Sequence, residues 1–453
     1  IMANVIKLRK GLDINLKGRA LLQNLPYTIN QPSEYALSPE DFVGVTPKVV
    51  VQEGEHVLAG QFLFVEKKSP EIGFASPVSG TVTSIVRGER RKVLLVKVKP
   101  DETQQSIDFG TKDINKLSSE SILKSIIDAG LFGYIHQLPY DVCAEYGQTP
   151  KAIFVSALRD KPLQGDFEYE LKGQEADFQT GLSALAKVAK VFLGLGAKQT
   201  APALIGAKDV EINIFDGPCP AGNVGVQVNH LAPVNKGEVV WTIDPTVVLF
   251  IGRLFNTGKV NLTRKVAIAG SLMKQTGYVN ALVGTPIKDI LVDNVDKTRN
   301  ARILKGNPLT GTIANAESVV GALTSEITAI PEGDDVNELA GWIMPRLNTF
   351  STSRSYFSWL FGKKKEYDLD ARIKGGERHM IMSGEYDKVL PMDIYGEYLI
   401  KAIIAGNIDK QEQLGIYEVS PEDFALAEFV DSSKLELQKI VREGLNLLRK
   451  ENA

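Results

Sequence analysis

Residues 119–138 read SESILKSIIDAGLFGYIHQL and residues 152–158 read AIFVSAL. In the first stretch Ile122, Leu123, Ile126 and Ile127 share one face at helical spacing, and Gly130 takes the position just past a helix end. The second stretch is a continuous apolar run of strand length. The pattern repeats downstream. A helix is expected near 175–189, strands at Val191–Leu195 and Val210–Phe215, and a helix from Pro245, capped by Asp244, to about Gly258. A strand follows at Lys265–Ala269. Strands alternating with helices argue for an α/β layer of Rossmann-like order.

Upstream, residues 43–99 are strand-rich. Strands are expected at Val49–Val51, His56–Glu66, Gly80–Arg87 and Val93–Lys99, separated by Gly, Pro and charged turns. The segments VVVQEGEHVLAGQFLFVE and ASPVSGTVTSIVRGERRKVLLVKV look related. They resemble a biotinyl/lipoyl-like barrel-sandwich domain, with Glu53-Gly54-Glu55 and Ser76-Pro77-Val78-Ser79-Gly80 as its turns. A carrier domain displays a lysine at its hairpin tip. Lys67 and Lys68 lie nearby but lack the Asp-Lys-Ala or Met-Lys-Met context, so solvated lysines on a structural hairpin are expected. A carrier fused to an α/β enzyme is the competing reading, and it predicts a mass increase on either lysine.

Downstream, VAIAGSL, YVNALVGTPIKDILVD and ARILKGNPLTGT resemble a β-grasp module of the soluble-ligand-binding (SLBB-like) kind. Residues 351–370 read as a connector, and the tail is helical from Pro391. Ser420-Pro421-Glu422-Asp423 is a helix start. Ser433 and Glu436 have capping-box spacing ahead of Leu437, Ile440, Val441, Leu445 and Leu448 on one face. The expected divisions are 1–110 (barrel-sandwich), 111–262 (Rossmann-like), 263–350 (β-grasp) and 351–453 (connector and C-terminal helical domain).

A chain of 453 residues suits about three domains of roughly 100–200 residues. Apolar content of 43%, charged content of 24% and a formal charge of −3 are ordinary, and no basic field invites nucleic acid. No stretch approaches the roughly 18–20 apolar residues of a membrane span. The start, IMANVIKLRKGL, shows no apolar signal core. The only cysteines, Cys143 and Cys219, form no metal or redox motif. His56, His136, His230 and His379 show no ligand spacing, so no metal site is expected. No GxSxG or Ser/His/Asp signature marks a hydrolase.

Several pieces follow one another along the chain: Lys10-Gly11-Leu12-Asp13, Phe74-Ala75-Ser76-Pro77, Phe215-Asp216-Gly217-Pro218-Cys219-Pro220-Ala221-Gly222 and Pro233-Val234-Asn235. Later come Gly341-Trp342-Ile343-Met344-Pro345, Thr352-Ser353-Arg354-Ser355 and Leu390-Pro391-Met392-Asp393. Their order resembles that of one family, the A subunit of the sodium-translocating NADH:quinone oxidoreductase (Na+-NQR), a bacterial respiratory pump, over nearly the whole chain. The architecture also resembles the C subunit of the Rnf complex and the flavin subunit of respiratory complex I. Those relatives bind FMN through a Gly-Arg-Gly-Gly-Ala-Gly-Phe-Pro turn, whose glycines let backbone N–H groups meet a phosphate. Here Tyr134, Ile135, His136 and Gln137 stand in that stretch, and side chains of that size are expected to fill the flavin's place. Ala157-Leu158-Arg159-Asp160-Lys161-Pro162 replaces the relatives' acidic Glu-Cys-Glu-Pro element, and their cluster-binding cysteines are absent.

The resemblance implies a subunit with no cofactor and no catalytic residue of its own, peripheral on the cytoplasmic side of the bacterial inner membrane and without a transmembrane segment. It docks on the membrane-embedded B subunit. NADH oxidation, flavins, an iron–sulfur centre and sodium movement belong to other subunits, and whether quinone binds this chain is left open. The alternative is a flavin-binding electron-transfer subunit of an Rnf- or complex I-like assembly. Two candidate surfaces remain. The loop with Asp216, Gly217, Pro218, Pro220 and Gly222 follows a strand, where α/β folds bind ligands, and is either a quinone pocket or a domain-interface loop. Arg354, Tyr356, Phe357, Trp359, Phe361, Lys363 and Lys364 set aromatics beside cations, as a membrane or partner docking face does. The bland reading of this second surface is interdomain core with exposed lysines.

Overall fold

The computed structural model describes residues 4–27, 29, 31–334, 346–362 and 364–452. Ser119–Asp128 is the expected helix, capped by Ser118, whose hydroxyl accepts the Ser121 amide. Ile122 and Ile126 face inward and are fully buried. Gly130 reverses the chain at φ +70°, a left-handed conformation that a β-carbon strains. The next turn, Phe132–Tyr134, is buried, and a β-carbon on Gly133 would stand 2.2 Å from the Phe74 ring. Phe74 packs on Phe42 at 4.3 Å and stacks on Phe64 at 4.7 Å, while Tyr134 meets Phe42 edge-on at 5.2 Å. Gly133 is therefore clearance for an aromatic core shared by the first two modules.

The Rossmann-like module holds a seven-stranded sheet in the order Asn4–Lys7, Glu211–Asp216, Val191–Gly196, Ile153–Ser156, Val240–Ile243, His136–Leu138, Val142–Cys143. The first five strands are parallel; His136–Leu138 pairs antiparallel with Val240–Ile243, and Val142–Cys143 pairs antiparallel with His136–Leu138. The chain builds outward from Ile153–Ser156 on one side, then returns to place Val240–Ile243 on the other. The gap between those two strands is a topological switch point. Asn4–Lys7 lies at the far edge of this sheet, away from the strands that follow it in sequence. Pro245–Thr257 packs behind, buried on all sides from Pro245 to Phe255, as expected for a helix apolar all round. Asp244 caps it as its local sequence implies, its Oδ1 accepting the Thr246 amide at 2.8 Å.

The barrel-sandwich comprises a four-stranded sheet (Tyr35–Leu37, Val93–Pro100, Gly80–Arg87, His56–Val57) and a three-stranded one (Pro47–Val49, Phe62–Glu66, Gly73–Ala75). The run His56–Glu66, expected as one strand, is broken where Gly60 turns at φ +92°, and its halves join different sheets. Lys67 and Lys68 are exposed just after Phe62–Glu66. The β-grasp module is a five-stranded mixed sheet with Thr263–Ala269 and Glu326–Pro331 parallel at its centre.

In the helical tail Ser420 and Asp423 form a reciprocal capping box. Ser433 and Glu436 do not. The last helix starts at Leu437 with Glu436 at its cap, and the buried Ser433 hydroxyl accepts the Ile381 amide instead. A tertiary partner has taken the oxygen that the spacing assigned to a cap.

Candidate functional site

The C-terminal ends of Ile153–Ser156 and Val240–Ile243 open into a cavity of about 390 Å³, within the range of small-ligand sites. All four modules contribute to its wall. Asp41 comes from the barrel-sandwich, and Tyr134, His136, Leu158, Arg159, Lys161, Gly222 and Asp244 from the Rossmann-like module. Lys305 and Glu326 come from the β-grasp, and Glu422 from the helical tail.

A four-charge network runs from the wall inward, with Arg159 and Asp244 in the wall and Glu170 and Arg264 buried behind it. Arg159 and Glu170, 3% and 2% exposed, pair at 2.5 Å, and Arg159 reaches Asp244 at 3.5 Å. The Thr246 hydroxyl accepts from Arg159 at 3.2 Å and from Arg264 at 3.4 Å, and donates to Glu170 at 3.5 Å. Burial pushes the Glu170 carboxyl up to about 7, with Arg159 and Arg264 pulling it back. Burial also disfavours charge on Arg159, but Glu170 and Asp244 outweigh it and raise its pKa. The arginine's direction governs the pair, because a guanidinium keeps its proton in protein interiors; Glu170 therefore pairs as a carboxylate. Burial likewise opposes the charge of Asp244, and the two arginines overcome it and hold its pKa low.

The other wall cations are also neutralised. Lys161 pairs with Glu422 at 2.7 Å, and Lys305 with Asp41 at 2.6 Å. Arg159, Lys161 and Lys305 thus each hold a carboxylate, which leaves little for a phosphate to gain. Tyr134 differs. Its hydroxyl is buried without a hydrogen-bond partner among the described residues, and burial raises its pKa above the usual range, so it stays a donor at neutral pH.

Asp423 sits beside this wall. Its Oδ2 accepts from the Ser420 amide at 2.8 Å and the Ser420 hydroxyl at 2.9 Å, and Asn223 donates to its Oδ1 at 3.4 Å. Burial nevertheless pushes its carboxyl from 3.8 up to about 7. The native pKa lies above the unfolded one, so this group's contribution is whole below the unfolded pKa and is lost as pH rises through about 7. Asp423→Asn should accordingly match or trail the parent below about pH 4 and overtake it as pH rises from about 4 to about 7, by roughly 1.4 kcal/mol per pH unit across that interval, the gap being complete above about pH 7. Urea unfolding of both proteins across that range checks this; parallel pH curves would show a solvated carboxylate.

Other sequence-predicted residues divide. Gly222 lines the cavity and donates its amide to Asp160 at 2.8 Å. Asp216, Gly217 and Pro218 turn away toward the N-terminal segment: Leu8 donates to the Asp216 carbonyl at 2.9 Å, and a β-carbon on Gly217 would stand 2.6 Å from Leu8. Pro220 is buried outside the cavity lining. Cys219 donates its amide to Asp13 at 3.0 Å and its carbonyl accepts from Leu12 at 2.7 Å, so Lys10-Gly11-Leu12-Asp13 braces this loop. Of the four side chains expected to fill the flavin's place, Tyr134 and His136 line the cavity, whereas Ile135 enters the core and Gln137 bonds the Glu145 amide. The space they border stays open.

Arg354, Phe357, Trp359, Phe361 and Lys364 are exposed and Tyr356 half-buried; Lys363 and the stretch 341–345 lie outside the described residues. Among the described residues no cluster of His, Cys, Asp or Glu has metal-holding geometry, and no helix is long and apolar enough to cross a membrane. Sequence reasoning missed Arg159, Lys161, Glu170 and Asp244 as one site. The available signal was a charged run, Arg159-Asp160-Lys161, placed directly after an apolar strand.

Fold and cavity define a multidomain α/β protein of barrel-sandwich, Rossmann-like and SLBB modules closed by helices. Family models match in the same order: the NqrA N-terminal barrel-sandwich hybrid domain over residues 6–101, the NqrA second alpha/beta domain over 117–260 and the NQRA C-terminal domain over 265–316. The chain is 31% identical over 452 residues to the A subunit of the Na(+)-translocating NADH-quinone reductase of Haemophilus influenzae (strain PittGG), covering 99% of this chain and 100% of that protein. It is 34% identical over 462 residues to the same subunit of Serratia proteamaculans (strain 568), again covering 99% and 100%. A solved NAD+-reducing NiFe hydrogenase in its H2-reduced state is similar at 12% identity and TM-score 0.36, over 77% of this chain and 67% of that one. The chain belongs to the NqrA family, the A subunit of the Na(+)-translocating NADH-quinone reductase.

Proposed function

We propose that the chain is the cofactor-free docking subunit of a respiratory complex that moves Na+ as NADH reduces quinone. In this reading it sits on the cytoplasmic face, peripheral to the membrane, against the B subunit, and partner subunits carry the flavins and the iron–sulfur centre. We also propose the module boundaries given above, at 110, 262 and 350. The observation that carries the reading is the state of the cavity. Its cations are committed to Glu170, Asp244, Glu422 and Asp41, and the turn at Gly133 is occupied by Phe74. A flavin phosphate therefore does not fit these residues. A quinone head group is better matched: it has no charge to neutralise, and Tyr134 in the wall keeps a hydroxyl with no partner among the described residues, the donor proposed for its carbonyl. The ion pairs in the wall disfavour an isoprenoid tail, which has to leave through the mouth.

The purified chain should be colourless; flavin absorbance at stoichiometric level would end the cofactor-free reading. Calorimetric titration with a short-tailed, water-soluble quinone should show saturable one-to-one binding, weakened about tenfold in Tyr134→Phe, as loss of one buried hydrogen bond predicts. No binding, or equal binding to the variant, would leave a docking scaffold and move the quinone site to a partner.

A further inference from the structure

Residues 346–365 carry five basic side chains, Arg346, Arg354, Lys363, Lys364 and Lys365, and no acidic one, within a chain of net charge −3. Inside this segment Phe357–Phe361 forms a short 3-10 turn. Phe357, Trp359, Leu360 and Phe361 are 56%, 45%, 63% and 56% exposed. Adjacent large apolar side chains left in water mark a contact surface. Cations lie over the rings: Arg354 is 5.5 Å from Trp359 and Lys365 is 4.2 Å from Phe361. The base of the segment is fixed, with Phe350 packed at 5.2 Å on Tyr367 and at 5.8 Å on Phe429 of the helical tail. The apolar tip therefore stands on an anchored stem.

A protein covering this tip has to desolvate the stacked cations and supply a carboxylate for each of them. An anionic bilayer supplies phosphates and an apolar layer at adjacent depths, which suits rings flanked by basic side chains. We infer that residues 354–362, with Lys364, are a membrane-interface anchor, with the aromatic tip in the headgroup boundary of an anionic leaflet and Arg354 and Lys364 on lipid phosphates. Two weak signals, apolar and polybasic, combine here as stable surface anchoring requires. The inference deepens the peripheral location proposed above and rests on that reading, but it is independent of what the cavity holds.

The test is co-sedimentation of the full chain with vesicles of phosphatidylethanolamine and phosphatidylglycerol, set against vesicles of phosphatidylcholine alone. In a Trp342→Phe background the emission of Trp359 should shift to the blue with the anionic vesicles, since Trp241 is already buried. Arg354→Gln with Lys364→Gln should weaken partitioning by about 25-fold, on the order of fivefold per charge. Phe357→Ser with Trp359→Ser and Phe361→Ser should remove it. All these side chains are exposed, so unchanged melting curves will show that the variants fold. Equal binding to phosphatidylcholine, no vesicle binding, or vesicle binding unchanged by the serine substitutions overturns the anchor. So does a serine variant that keeps its vesicle binding but no longer co-purifies with the membrane subunits, which assigns the tip to a protein partner. None of these results alters the colour or quinone measurements, so the two proposals fail separately.

Discussion

Arg159→Met is expected to destabilise the Rossmann-like module by about 3–5 kcal/mol, the loss that follows when one partner of a buried ion pair is removed. Its side chain is 3% exposed and bridges Glu170 and Asp244, so the substitution leaves Glu170 without its closest cation and Asp244 with Arg264 alone. In urea the midpoint of that module should fall on the order of 1–2 M. The decisive comparison is the double variant Arg159→Met with Glu170→Met. It removes both charges, keeps apolar volume and leaves Asp244 within the attraction of Arg264, so most of the loss should return. A chain of several modules need not unfold in one step, so hydrogen exchange at the amides of Ile153–Ser156 and Val240–Ile243 is the sharper readout. A single-variant cost below about 1 kcal/mol would mean that the pair behaves as a solvated surface bridge.

Gly252→Ala should cost about 3 kcal/mol or more, although it adds only a methyl group. The β-carbon would stand 1.8 Å from the Asp177 carbonyl oxygen on helix Glu175–Ala186. Across the same crossing, a β-carbon on Gly181 would stand 2.1 Å from the Val248 carbonyl oxygen. The obstacle in each case is backbone, which cannot swing aside as a side chain does, so the two helices must separate. Overpacking of cores ordinarily costs about 1–3 kcal/mol, and backbone contact places this site at or above the upper end. The displaced helix begins at Pro245, beside Asp244 in the cavity wall, and Arg253 within it donates to the Asn261 carbonyl at 3.0 Å and the Thr263 carbonyl at 2.6 Å. On the function proposed above, quinone affinity should therefore weaken together with stability. Gly376→Ala, where a β-carbon meets nothing within 4 Å, is the control and should be neutral. If Gly252→Ala melts with the parent, the close helix crossing is incorrect.

Helix ends, caps and the alternation of strand and helix are legible in the chain itself, because each depends on neighbours a few residues away. Asp244 caps its helix and Ser420-Pro421-Glu422-Asp423 starts one, as their local sequence implies. The Ser433 spacing misleads for the complementary reason, since its hydroxyl bonds Ile381, 52 residues away. The resemblance of ordered pieces along the chain indicates the family, and the basic, acid-free run 346–365 is visible in the letters alone.

The sequence by itself determined the modules, their order and the absence of a phosphate-binding glycine turn. Only the tertiary structure decided what replaced that turn and where the cavity lies. Gly133 serves the Phe74 ring, a contact with another module that no local spacing announces. The cavity exists because Val240–Ile243 returns to the opposite side of Ile153–Ser156 from Val191–Gly196, a pairing choice made between distant strands. Its cations are neutralised by carboxylates as far away as Glu422 for Lys161, 261 residues apart, and Asp41 for Lys305, 264 apart. Periodicity and capping are short-range and are written in consecutive residues. Charge pairing and close packing depend on distances that only the folded chain sets.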